Sequence, residues 1–321
     1  MKRGALFFFA ALAAVVLTLH PAFAAETVVN KGVIEKDTVW SGEILVTGDV
    51  EVAENVTLII MPGTTVRFAK IERFGPEKLY NDKENHFARA EIFVRGKMLA
   101  QGAEKSQITF TSAESNPKPG DWSSLNFSGS TGNILEHCVI MYGDTAVHCH
   151  SSQVVVANNV FKHNGTGFGC KNLKDIPVQT IMPVMYNLFA ENGGGMIIGG
   201  GAAPAVFHNE ITGNEFFGIY VKKGGCSDVR FNNISNNGKG VILYQAKNLF
   251  LRDNNIADNT DYNLSMLEGQ ERDLAFPHNW WGTAEEEKIR AKVMDKASDS
   301  GLGKADLSNF YTSPVAEAGN I

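Results

Sequence analysis

Short runs of alternating apolar and polar residues recur along the second half of the chain at a nearly constant interval. Val155-Val156-Ala157-Asn158-Asn159-Val160, followed by Gly167-Phe168-Gly169-Cys170, returns as Val229-Arg230-Phe231-Asn232-Asn233-Ile234, followed by Gly240-Val241-Ile242-Leu243. The apolar position after the asparagines is Val139, Val160, Leu188, Ile211, Ile234 and Ile256, at intervals of 21, 28, 23, 23 and 22 residues. The long interval holds an insertion at about 172–182 that contains Pro177. A period-two alternation predicts strands. No repeat carries a 3.6-residue apolar stripe or the leucine spacing of leucine-rich repeats, so helical and leucine-rich solenoids are excluded. A unit near 22 residues made of short strands predicts an all-β parallel β-helix, one coil per unit, with coils about 4.8 Å apart.

Stacked coils place equivalent residues in columns. One column runs Val147, Phe168, Met196, Ile219, Val241, Leu264, and another Cys149, Cys170, Ile198, Val221, Leu243, Met266. Both are apolar in every coil and are predicted to face inward. The column between them, His148, Gly169, Ile197, Tyr220, Ile242, Ser265, then faces outward. So does the next, His150, Lys171, Gly199, Lys222, Tyr244, Leu267. Ala146, Gly167, Gly195, Gly218, Gly240 and Asn263 mark a turn whose backbone is left-handed or cramped. Two asparagine-rich columns precede the shared apolar position: Cys138, Asn159, Asn187, Glu210, Asn233, Asn255, and His137, Asn158, Tyr186, Asn209, Asn232, Asn254. Stacked asparagines can bond to one another and to turn backbone, so these residues are structural, and either column could form the inner ladder.

The first half is extended too, with strands predicted in 39–46, 49–52, 56–60, 62–68 and 91–94 and a polar, loop-like insertion at about 70–89. The pattern changes at Asn279-Trp280-Trp281-Gly282-Thr283. A helix is predicted over 284–294, with Thr283 as N-cap, acidic residues in its first turn, and Ile289 and Val293 on one apolar edge. It would cover the open end of the last coil. The division is thus a leader at 1–24, a β-helix at 25–283 and a C-terminal cap at 284–321.

The leader is read from Met1-Lys2-Arg3, the apolar run Ala5 to Leu19 and the Ala22-Phe23-Ala24 site, the pattern of a secretory signal peptide. Its removal leaves an acidic chain with no segment expected to insert in a membrane, in the periplasm or outside the cell. The full chain has 29 basic and 35 acidic residues, a net charge of −6. That balance argues against a nucleic-acid binder. With 44 % hydrophobic residues the chain is not disordered.

Trp40-Ser41-Gly42, Gly48-Asp49-Val50 and Pro62-Gly63-Thr64-Thr65-Val66-Arg67-Phe68 at one end, and Asn279-Trp280-Trp281-Gly282-Thr283 at the other, resemble the end motifs of exported bacterial β-helix-repeat proteins. These belong to the pectate-lyase-like superfamily of right-handed parallel β-helices, and the resemblance covers most of residues 38–315. It implies the fold and says little about activity. Many members of the superfamily act on polysaccharides, and it includes periplasmic copper-associated proteins. The Asn-Thr-Asp, Gly-His-Gly and Arg-Ile-Lys motifs of polygalacturonase-like members are absent.

Candidate chemistry is sparse. A glycosidase needs two carboxylates across a cleft, whereas Glu136, Asp144, Glu191, Glu215 and Asp258 are scattered over turns. A lyase needs a base and a cation at the substrate carboxylate, and Lys171 and Lys222 share an outward column. Arg230 and Arg252 share another, which is unfavourable unless an anion or a carboxylate lies between them. His148 and His150 point outward from one strand, with His137 and His163 in nearby turns, a pattern that raises metal handling. Cys149 and Cys170 occupy one inward column at a spacing within disulfide range, so they are either a disulfide or two packed thiols. Tyr220 and Tyr244 with Lys222 and His150 suit an extended sugar polymer.

The expectation is an exported, non-catalytic binding or scaffold protein for a polysaccharide or another envelope component, with His148, His150, Lys171, Tyr220, Lys222 and Tyr244 as ligand-binding residues. No catalytic residue, cofactor or metal ligand is assigned. The alternatives are a polysaccharide lyase or related carbohydrate-active enzyme, and periplasmic copper handling. Oligomeric state and the identity of a partner are not read from the residues.

Overall fold

The computed structural model describes residues 26–80, 87–267 and 269–319. The predicted leader, 1–24, lies outside them. Three parallel sheets run the length of the molecule, and up to Met266 every third strand in sequence joins the same sheet; beyond it Leu274–Ala275 pairs with Ala305–Asp306 in a separate two-stranded sheet. Sheet A has ten strands, from Thr27–Val29 to Asn255–Ala257; sheet B has eleven, from Gly32–Ile34 to Val293–Met294; sheet C has nine, from Thr38–Trp40 to Asn248–Arg252. This is the right-handed parallel β-helix expected, and its core is one continuous apolar column inside the coils. The two inward columns of sheet B pair in register as predicted, Val147 to Phe168 to Met196 to Ile219 to Val241 to Leu264 and Cys149 to Cys170 to Ile198 to Val221 to Leu243 to Met266.

Sheet A corrects the predicted register by one residue. Leu188 pairs with Glu210, and Phe189 with Ile211. The buried column is therefore Ile140, Phe161, Phe189, Ile211, Ile234, Ile256, while Val139, Val160 and Leu188 sit on the outer face with Glu210, Asn233 and Asn255. The inner asparagine ladder draws on both predicted columns: Asn159, Asn187, Asn209, Asn232, Asn254 and Asn279. Each side-chain amide donates to the next side-chain oxygen at 2.9–3.1 Å. The residue before each is left-handed, as at Asn158, Tyr186, His208, Phe231, Asp253 and His278. A second ladder at the other end of sheet A runs Asn164, Asn192, Asn214, Asn237, Asn259, Asn263.

The glycine turn of sheet B is cramped, not left-handed. A Cβ on Gly218 would stand 2.8 Å from the Gly240 oxygen and 2.9 Å from Ile234 Cγ2. Gly218→Ala is expected to cost about 1–3 kcal/mol, as overpacking does, visible as a lowered urea midpoint.

At the C-terminal end the helix is shorter than predicted, Glu286–Arg290, with Glu285 at the N-cap position. Thr283 Oγ1 accepts the Glu285 N–H at 3.2 Å instead of capping the helix itself. The helix stops because Val293–Met294 turns into a strand that pairs with Tyr262–Met266. Ile289 and Val293 are buried as expected, and this segment closes sheet B at that end. Asn279 of the Asn-Trp-Trp-Gly-Thr motif is the last rung of the inner ladder.

Candidate functional site

The outer face of sheet B divides in two. Over the early coils it is covered by the described residues of the insertion 70–89, which form no helix or strand. Lys78 fastens the insertion: its ammonium donates to Asp49 Oδ1, Glu91 Oε1 and the Arg89 oxygen, each at 2.9 Å, and all three side chains are buried. The Leu79 N–H donates to Asp49 Oδ2 at 2.8 Å, and the Asn126 amide to Glu91 Oε2 at 2.9 Å. Burial pushes the carboxyls of Asp49 and Glu91 above the usual carboxylate range, with Lys78 working against the shift. Tyr80 lies against Phe93 and bonds to Glu51, and Phe87 meets the His148 ring edge-on at 5.0 Å.

Beyond His148 the face is open. A cleft of about 410 Å³ lies there, floored by Gly169, Ile197 and Gly199, with His148 on one side and Lys222 on the other. Lys171 and Lys223 stand at its edge. The two glycines make the room. A Cβ on Gly169 would lie 3.0 Å from His148 Cδ2, and one on Gly199 would lie 3.3 Å from Lys222 Cγ. The Lys222 stem thus lies across Gly199, and its Nζ sits 5.5 Å from the centre of the Tyr220 ring. Burial, and then the charges of Lys223 and Lys171, lower the Lys222 ammonium below its usual range. A cluster that depresses its own cation in this way gains from an anion placed among the ammonium groups.

Of the six residues predicted, His148, Lys171 and Lys222 line the cleft, and His150, Tyr220 and Tyr244 do not. The His148 and His150 rings are 4.1 Å apart, edge to face. Burial, then Tyr244, raises the Tyr220 hydroxyl. Thr145 and Lys223 also line the cleft and were not predicted. The signal for Lys223 was the Lys222-Lys223-Gly224-Gly225 run: Lys223 sits left-handed at the corner (φ 47°), just past the end of the strand.

Cys149 and Cys170 pair in register on neighbouring strands, and both are buried free thiols, raised well above the usual thiol range by burial. Arg230 finds Asp228 at 2.6 Å and the Phe207 ring at 4.9 Å. Among the described residues, no three His, Cys, Asp or Glu side chains are grouped so as to hold a metal ion.

A model of the family described as periplasmic copper-binding protein (NosD) matches residues 103–276. The chain belongs to the NosD family. The matched region contains the whole cleft and both asparagine ladders up to Asn263, whereas the insertion with Lys78 precedes it. As a member of this periplasmic family with a β-helix fold, the protein is an exported β-helix repeat protein. No helix among the described residues is long and apolar enough to cross a membrane. The chain is also similar to the crystal structure of the periplasmic alginate epimerase AlgG, at 14 % identity and a TM-score of 0.41, over 86 % of this chain and 75 % of that one. No curated protein matches it.

Proposed function

We propose that this NosD-family member is a non-catalytic periplasmic binding protein whose cleft takes the carboxylate of an acidic envelope carbohydrate. The supporting observation is the convergence of Lys171, Lys222 and Lys223 on a cleft opened by Gly169 and Gly199. Its size falls in the range of about 300–1,000 Å³ usual for small-ligand sites. Copper, named in the family's description, would meet the His148 and His150 imidazoles there, with Lys171 and Lys222 close by. That donor set fits an anion better than a bare cation.

Lys222→Ala or Lys171→Ala is expected to weaken binding of an oligogalacturonate about 10-fold or more, since a hydrogen bond to a charged group is worth about 1.5–3 kcal/mol. Isothermal titration calorimetry reads this directly. Tight copper binding abolished by His148→Ala with His150→Ala, in a protein indifferent to acidic sugars, would overturn the assignment. A lyase would instead release unsaturated products, seen as rising ultraviolet absorbance that Lys222→Ala removes.

A further inference from the structure

The cleft is closed on three sides. On the side of the early coils, Phe87 backs the His148 ring. On the side of the later coils, Lys222 lies over Gly199 with Tyr220 behind it. At the end of the strands away from Lys171, Thr145 lines it, in the register row of Thr166, Gly194 and Phe217, where the Phe217 ring covers Gly194. The fourth side leads over Gly200 and Lys223 into a second depression of about 460 Å³, which adjoins the cleft through those two residues. Gly201, Gly224, Gln245 and Lys247 complete that depression. Gly200, Gly201 and Gly224 carry no side chain, and a Cβ on Gly201 or Gly224 would meet nothing closer than 3.7 Å, so the hollow is open over those two. A Cβ on Gly224 would stand 3.7 Å from Lys247 Cδ and Cε, so the Lys247 stem borders it.

We infer that this hollow is a second subsite and that the protein holds the end of an acidic chain, not its middle. The terminal uronate enters the cleft between His148 and Lys222. The next residue lies over the glycine hollow, its carboxylate between Lys223 and Lys247. The chain then leaves toward solvent across the corner, because Phe87 and the insertion bar the way along the outer face of sheet B. This rests on the assignment of the cleft to an acidic sugar. It also replaces the expectation of a polymer lying along the sheet with one that crosses it.

The test is a calorimetric series with galacturonate and its di-, tri- and tetramers on the full chain. Affinity is expected to rise about 10-fold from monomer to dimer and then level off. Lys247→Ala should remove that rise while leaving monomer binding unchanged, which a loss of folding would not do. With polygalacturonate, saturation should follow the number of chain ends and not the mass of polymer. An equal affinity for monomer and dimer, a dimer gain indifferent to Lys247→Ala, or a steady rise through the tetramer would each overturn the second subsite while leaving the cleft assignment standing. If the parent protein binds no member of the series better than Lys171→Ala with Lys222→Ala does, the cleft assignment itself falls, and the subsite with it.

Discussion

Asn209→Ala is expected to destabilise the protein by about 3–6 kcal/mol, at about 1–3 kcal/mol for each buried polar group left without a partner. Asn209 Oδ1 accepts both the backbone N–H and the side-chain amide of Asn187, at 3.0 and 2.9 Å. Its own amide reaches the oxygens of Val184, Phe207 and Asn232, each at 2.9 Å. Alanine therefore strands the Asn187 N–H, half the hydrogen bonding of the Asn187 amide and the Val184 oxygen, all inside the corner. Asn158→Ala is the control. That side chain is only partly buried and reaches Glu136 at 3.5 Å, so its loss should cost about 1–2 kcal/mol, the order of the strain at a left-handed alanine. Urea denaturation of the two variants measures the difference. Equal costs would mean that the ladder contributes nothing beyond its turn.

Lys78→Met should be nearly as severe, about 3–5 kcal/mol at neutral pH, because it leaves Asp49 and Glu91 buried with no cation. The effect is expected to be local as well as global, so proteolysis should cut within 70–89 in the variant at concentrations that spare the parent. The pH dependence has a defined sign. Burial raises both carboxyls in the folded protein. A group raised on folding stabilises fully below its unfolded value, about pH 4, and loses that contribution as pH rises through the folded value. Without Lys78 the pair folds most easily when protonated. The deficit of Lys78→Met against the parent should then be smallest near pH 4 and widen toward pH 7. Urea midpoints at the two pH values read it, and a constant deficit would count against the buried pair as its source.

The inward columns of sheet B were legible because alternation fixes which side chains face in, and a slip of one residue would have put Tyr220 and Lys222 into the core. Sheet A was not legible to one residue. Asparagines stand in pairs at its entry, as at Asn158-Asn159, Asn232-Asn233 and Asn254-Asn255, and Leu188-Phe189 offers an apolar residue in either register. Only the bonding pattern separates the buried asparagine from the exposed one. The clasp escaped notice for another reason. Lys78 meets Asp49 and Glu91 across 29 and 13 residues, through an insertion with no periodicity to align. The candidate site was half legible: outward columns put Lys171 and Lys222 on one face, but a column does not show that the Lys222 stem lies over Gly199 and that the tyrosines stay outside the cleft.

The two ladders also set where this solenoid is free to vary. Asn187 and Asn192, Asn209 and Asn214, Asn232 and Asn237, and Asn254 and Asn259 stand at the same separation, so the stretch of each coil between the ladders has a fixed length. Every rung must meet the next, and one residue more or less there would break both stacks. Among the described residues the corner between sheets B and C carries no asparagine ladder, only a short run of hydroxyl rungs in which Ser152 Oγ accepts the Ser130 N–H and Thr180 Oγ1 the Ser152 N–H. It already absorbs the insertion at 172–182 and the Gly200-Gly201 turn, while the strands on either side keep their register. That corner is also the rim of the cleft. Changes of length that the asparagine ladders forbid elsewhere are tolerated there, so the rim of the cleft can be reshaped by insertion and deletion without disturbing an asparagine rung.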